Sequence, residues 1–269
     1  MNTSELMEII ADNEIAIYGA GYAAQNFYTA LQIRNLQNQV KYFIVTDLEK
    51  THREVHGVPV RALKDVVNEE NIYICIAVHE AVKNEIEEYL LQSQIEKYVW
   101  VHPNIMEIAL GEPLEHHKQT EVRKIIQQNS YDNYAFAIRY LAIENYYEKN
   151  TIGYDVYLKA LYLQCEAQTA QKRLNNFISL IDDWDKNGYR QDRDILIDEK
   201  KRLIDGTHRL SLACYHEMEY MYCDVFPYSD KYDKVVKKNH FLSMDMLKKN
   251  GFLPYELEAI QKVQNVAIA

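Results

Sequence analysis

Several signatures are missing from this chain, and each absence removes a class of function. No apolar run approaches the roughly 18 residues that a membrane-spanning helix needs, so membrane insertion is not expected. The start, Met1-Asn2-Thr3-Ser4-Glu5, has no basic stretch leading into an apolar core, so no signal peptide is expected. Only 4 cysteines occur, Cys75, Cys165, Cys214 and Cys223, with no CxxC spacing. That usage predicts reduced thiols in a cytoplasmic protein. The 9 histidines contain no HExxH, and the adjacent rings of His116 and His117 would point apart on a helix, so zinc is not expected. There is no GxSxG elbow for a serine nucleophile, no internal repeat and no low-complexity segment.

What is present begins with apolar residues, 48% of the 269, enough for packed cores and long enough for two domains. Charge is uneven. Residues 1–112 hold 8 Lys/Arg against 17 Asp/Glu, whereas 113–269 hold 22 against 23. Binding to DNA or RNA relies on basic surface, so this balance argues against a nucleic-acid partner. The run Lys231 to Lys238 reads as a solvated face, and so does Asp182-Asp183-x-Asp185. The alternative for the acidic group is a metal site joined by Asp192 and Asp194. Many of the 22 tyrosines lie in 131–162, where helical spacing suits core packing and interfaces, those of a homo-oligomer included.

Strand and helix patterns alternate through the first part. Strands are expected at 14–18, 40–46, 72–78 and 98–101, with helices at 22–35 and 80–92. Such alternation predicts parallel βαβ units in an α/β fold, ending near Gly111-Glu112-Pro113. Apolar residues three and four apart then predict helices at 115–128, 131–149 and 154–173, and another at 174–187 stopped by Asn187-Gly188. Beyond it the pattern predicts a hairpin of 194–197 and 202–205, a helix from His208 to Glu217, a strand at 219–225, and helices near 241–249 and 254–265. The domains expected are 1–112, a helical connector at 113–173, and 174–269.

Two loops carry chemistry. Gly19-Ala20-Gly21-Tyr22-Ala23-Ala24 fits GxGxxA between a strand and a helix. Gly19 permits the tight turn, Gly21 the close approach of a ligand, and the helix start at Tyr22 offers N–H groups to a phosphate. Asp47, at the end of the next strand, is placed to bond a ribose hydroxyl. The succession of this loop, Val55-His56-Gly57-Val58-Pro59-Val60 and Val101-His102-Pro103 resembles the N-terminal domain of PglD-type sugar acyltransferases, over about residues 13–108. The resemblance implies a Rossmann-like domain holding a nucleotide-sugar, in the setting of bacterial surface-polysaccharide synthesis. The hexapeptide repeat of those enzymes is missing, so acyl transfer is not implied, and His102 reads as a structural loop residue.

The second loop is Asp205-Gly206-Thr207-His208-Arg209, between a hairpin and a helix. Gly206 supplies unusual backbone geometry, and Thr207 is expected as the N-cap. His208 and Arg209 put two potential cations at a helix end that disfavours them, which suggests an anion between them, most simply a phosphate. The segment 174–226 resembles the ParB/sulfiredoxin superfamily. Thr207 stands where sulfiredoxins have their cysteine, so sulfinic-acid repair is not implied. The partition proteins' Gly-Glu-Arg-Arg is not matched either. Asp205, Gly206, His208 and Arg209 match the Asp-Gly-x-His-Arg of the superfamily's free serine kinases.

That resemblance implies ATP and Mg²⁺ as cofactors and a phosphotransferase acting on a small-molecule hydroxyl. Gly206, Thr207 and Arg209 would bind the ATP phosphates. Asp205 and His208 would be catalytic, with Asp205 also a candidate Mg²⁺ ligand. The family's upstream base has no evident counterpart; Glu166 and Asp155 are candidates only. Two other readings remain open: a non-catalytic nucleotide-binding scaffold or sensor, and an NAD-dependent oxidoreductase built on the first glycine loop.

Overall fold

The computed structural model describes residues 2–49, 51–67, 69, 72–191, 194–229 and 242–268. The chain is a mixed α/β protein in two compact units that divide between Glu112 and Pro113. Lys231–Lys238 and Asp192 lie outside the described residues. No helix among the described residues is long and apolar enough to cross a membrane.

The first unit opens with α1 (Thr3–Asp12), held by a capping box in which Asn2 and Glu5 bond each other's backbone N–H. It continues through β1 (Glu14–Tyr18), α2 (Tyr22–Ile33), β2 (Val40–Val45), β3 (Glu54–Val55), β4 (Val58–Ala62), β5 (Ile72–Ile76), α3 (Glu80–Gln92), β6 (Tyr98–Trp100) and α4 (Ile105–Leu110). The strand order is β3-β4-β2-β1-β5-β6, parallel except for the β3–β4 pair. Ile15 and Ile17 point to one face of the sheet, and Ala16 and Tyr18 to the other; all four are buried. A strand covered on both faces must be apolar throughout, which is why Ile15 to Tyr18 shows no alternation. From β1 the chain builds outward to β2 and β4 on one side and to β5 and β6 on the other. The loops after β1 and β5 therefore flank the point where the winding reverses, the place where open parallel sheets hold ligands.

The second unit comprises β7 (Glu115–Glu121), α5 (Val122–Asn129), α6 (Ala135–Tyr146), α7 (Gly153–Tyr162), α8 (Ala167–Asn187), β8 (Ile195–Asp198), β9 (Leu203–Asp205), α9 (Thr207–Tyr215), β10 (Tyr220–Phe226), α10 (Met244–Lys249) and α11 (Pro254–Ile268). Its sheet runs β7-β10-β8-β9, with β10 antiparallel to β7 and parallel to β8. Residues 113–173 are no connector. Ile125, Ile138, Leu141, Val156 and Tyr157 share one core with Ile195, Leu210 and Val225.

Two element boundaries differ most from the sequence pattern. The helix expected at 115–128 begins only at Val122, and Glu115–Glu121 forms an edge strand instead. The break expected at 173/174 lies at Leu163–Glu166, so 167–187 is one helix, closed as expected at Gly188 (φ +71°). Helices α6 and α7 approach so closely that a Cβ on Gly153 would lie 1.9 Å from the Leu141 carbonyl oxygen. Asn150 holds the bend between them, accepting from the Ile152 and Gly153 N–H groups and donating to the Leu141 carbonyl.

Candidate functional site

The β8–β9 hairpin that presents the second loop is organised by one carboxylate. Asp198 is buried, and its Oδ1 accepts from the Lys200 and Arg202 N–H groups while Oδ2 takes the Arg202 Nε at 2.6 Å. Asn129 ties this hairpin to α5, accepting from the Leu203 N–H and donating to the carbonyls of Lys201 and Ile125. β9 then delivers Asp205 at its end, with a side chain 71% exposed.

Gly206 follows at φ +109° and ψ 22°. A Cβ there would sit 2.4 Å from Ile195 Cγ2, so glycine is required both by conformation and by space. Gly206 is the N-cap, and Thr207 is the first helical residue rather than the expected cap. The left-handed glycine completes the turn one residue early, and a glycine has no side chain to give. Gly206 gives α9 no side-chain cap, so the helix starts on its backbone N–H groups.

The two side chains after Thr207 have separate surroundings. His208 turns toward the core: its Nε2 is 2.7 Å from the Tyr157 hydroxyl, and its ring packs on Phe177 at 4.5 Å. Arg209 donates to the Asp194 carbonyl at 2.8 Å, and its other terminal nitrogen lies 4.0 Å from Asp205. Asp194 in turn meets His117 Nδ1 at 3.0 Å, and the His117 ring stacks on Tyr222 at 3.9 Å. Glu166 opens α8 and Asp155 lies in the first turn of α7; both are exposed.

One further basic side chain was not anticipated. Arg139 on α6 is only 6% exposed. It donates to the Ala135 carbonyl and lies over the Tyr157 ring at 5.8 Å, but its Nε has no partner. It makes no ion pair among the described residues. Burial pulls its pKa down, Tyr157 and Asp205 favour its charge, and Arg173 on α8 opposes it. Tyr157 feels both guanidiniums as well, although burial dominates and raises its pKa. Contacts thus run from Arg139 on α6 through Tyr157 to His208 in the first turn of α9.

In the first unit, Gly19 (φ +113°) packs its backbone against Ala77 and Val78, where a Cβ would stand 3.1 Å from both. Gly21 is the N-cap of α2, without a side-chain cap and with open space where a Cβ would be. Tyr22 begins the helix, half-buried. Asp47 is exposed, and its Oδ1 accepts from the Glu49 N–H, so it shapes the turn after β2. Across the loop after β5, Trp100 bonds the Val78 carbonyl and stacks on His102, whose ring meets His79 edge-on at 5.4 Å.

The acidic group on α8 is engaged by tyrosines: Tyr146 donates to Asp182 and Tyr147 to Asp185. His52 and His56 lie on either side of β3, and His56 stacks on Tyr28. No group of three or more metal-binding side chains forms among the described residues. All four cysteines are free. No protein-family model, curated protein or solved structure matches the chain.

Proposed function

We propose that the chain binds the phosphates of ATP at the start of α9 and transfers the terminal phosphoryl group to a hydroxyl of a small molecule. In this reading the second unit is ParB/sulfiredoxin-like and the first is Rossmann-like, the latter holding a nucleotide-sugar at Gly19, Gly21, Tyr22 and Asp47. The observation that carries the reading is Gly206, a left-handed residue opening an uncapped helix between an exposed carboxylate and Arg209. A helix N-terminus and its dipole favour an anion there.

Phosphoryl transfer asks mainly for positioning and charge neutralisation. The Gly206 and Thr207 N–H groups and the Thr207 hydroxyl would hold phosphate oxygens, with Arg209 at the flank. Asp205 would accept the proton of the attacking hydroxyl or hold Mg²⁺. A single exposed carboxylate fits Mg²⁺, which is held through one or two carboxylates together with substrate phosphates. The metal would supply charge neutralisation on the phosphates. His208, engaged with Tyr157, would orient the loop.

The test is calorimetry with ATP, followed by incubation with γ-labelled ATP and a panel of sugars, nucleotide-sugars and serine. Arg209→Ala should weaken ATP binding about tenfold, and Asp205→Asn should abolish label transfer while sparing binding. Equal ATP binding by wild type and Arg209→Ala would overturn the phosphate role. A second reading, a nucleotide-binding scaffold or sensor, draws on one observation: the His208 Nε2 is committed to Tyr157 rather than to the loop. Binding without label transfer to any acceptor would favour it.

A further inference from the structure

We propose that His117, held in place by Asp194, is the base that takes the proton of the hydroxyl attacking ATP. The inference rests on the reading of the loop at Asp205 to Arg209 as an ATP site and adds to it the acceptor side of the reaction.

An irregularity in β7 builds the pair. Lys118 pairs with Cys223 and Glu115 with Val225, so His116 and His117 together oppose Asp224 alone. Such a bulge re-aims side chains and is frequent beside active sites. His117 is left-handed there (φ +52°), a conformation uncommon outside glycine. Its N–H donates to Asp224, and its ring stacks on Tyr222 at 3.9 Å and 5° from parallel. Its Nδ1 then lies 3.0 and 3.1 Å from the two carboxylate oxygens of Asp194.

A carboxylate only accepts, so Nδ1 carries the proton and Nε2 keeps its lone pair. A general base needs this arrangement, a neutral ring whose tautomer and orientation are fixed by an acid. The Asp194 side chain is 14% exposed and that of His117 50%, so the acid is covered while the ring reaches solvent. Nε2 meets no protein partner among the described residues. A purely structural tie explains less. β7 already has its ladder with β10, and a half-exposed His–Asp pair adds little to stability.

The sheet and Arg209 connect this pair to the loop. Asp205 pairs with Leu196, and Leu196 with Asp224, so these three side chains share one face of the sheet. Neighbouring strands are about 4.8 Å apart, which puts Asp224 roughly 10 Å from Asp205. Arg209 bridges part of that span, bonding the Asp194 carbonyl at 2.8 Å and lying 4.0 Å from Asp205. A phosphoryl group held by Asp205 and Arg209 thus faces His117 across the width of a small acceptor. In the step, the acceptor O–H gives its proton to Nε2 and its oxygen forms the new bond to the γ-phosphorus. The bond from that phosphorus to the bridging oxygen breaks, and ADP leaves with the electron pair. The imidazolium, steadied by Asp194, later returns the proton to water. Asp205 is then left to hold Mg²⁺.

The experiment follows label from γ-labelled ATP and Mg²⁺ to serine, sugars, nucleotide-sugars and water, with the full chain. His117→Ala should slow transfer about a hundredfold and leave ATP affinity unchanged by calorimetry. The wild-type rate should fall as pH drops through the range in which histidines protonate, about pH 7 to 6, and His117→Ala should lose that limb. The titratable and charged groups about the ring are Asp194, Tyr222, Asp224, His116 and, through the Asp194 carbonyl, Arg209. Imidazole in solution should restore about tenfold or more to His117→Ala, which a strand tie would not allow. Asp194→Asn should slow transfer about tenfold or more, since an amide lets the proton sit on the wrong nitrogen. His116→Ala, which removes the other His–Asp contact of the same bulge, should stay near the wild-type rate. If His117→Ala fails to fold, His117→Gln and Asp194→Asn decide by rate and pH profile. Wild-type rate in the His117 variant, or an equal loss in His116→Ala with no rescue by imidazole, overturns this inference alone and leaves Asp205 as the base. No transfer to any acceptor or to water, or ATP binding unchanged by Arg209→Ala, overturns the underlying reading as well.

Discussion

At Gly206 two independent demands meet, a φ of +109° and a neighbour 2.4 Å from any added Cβ. Either alone costs a substituted residue roughly 1–3 kcal/mol. Gly206→Ala should therefore lower the unfolding free energy by about 3 kcal/mol, read by urea denaturation. A loss below roughly 0.5 kcal/mol, the range of an ordinary surface change, would show that β8 yields without cost. This requirement was legible, because Gly between a strand and a helix is a local signal. The capping role of Thr207 was misread, since the same residues fit a cap one position later and only the observed dihedral decides. Arg139 was not legible at all. A single arginine in an apolar helix announces itself only when its burial and its missing counter-ion are known.

Among elements, the strand/helix alternation of the first unit was readable because parallel strands covered on both faces leave short, dense apolar runs. β7 was not, for the opposite reason. Five of its seven residues are exposed, so it has no apolar alternation, and its place is fixed by pairing with β10 rather than by its own side chains. The break before α8 was missed because Gln164-Cys165-Glu166 contains neither glycine nor proline. The β8–β9 hairpin depends on a side chain far away in sequence, Asn129, which satisfies the Leu203 N–H and the Lys201 carbonyl. Asn129→Ala leaves both backbone groups short of a partner and should cost about 2 kcal/mol by the same denaturation measurement. Because β9 carries Asp205, the variant should also weaken ATP binding. Unchanged stability would mean that water replaces the amide at no cost.

Across the molecule, buried apolar clusters form around Ile44 and Ile76 in the first unit and around Ile138 and Ile197 in the second. In the second, folding protects protons that the unfolded chain gives up more easily. Burial pushes the Cys214 and Cys223 thiols up to about 11 from an ordinary value near 9, and burial pushes the Tyr140 phenol up to about 12 from near 10. The Asp182 hydrogen bond, more than burial, raises Tyr146 to about 12. A raised folded-state pKa stabilises the native chain fully below the unfolded value and loses that contribution as pH climbs through the folded one. Stability should thus be level below pH 9, begin to fall as the two thiols would ionise in the unfolded chain, and fall more steeply above pH 10, where the phenols join. Urea midpoints measured from pH 8 to 11 check this, and Cys214→Ala with Cys223→Ala should lessen the decline that begins at pH 9 and leave the share of Cys75, whose thiol burial also raises. A midpoint that stays flat to pH 11 would show that these groups titrate alike in both states. Native-state alkylation gives the same answer from the side of reactivity, since thiols held near 11 present little thiolate at pH 8. Rapid modification of Cys214 or Cys223 in the folded chain would contradict the burial that raises them.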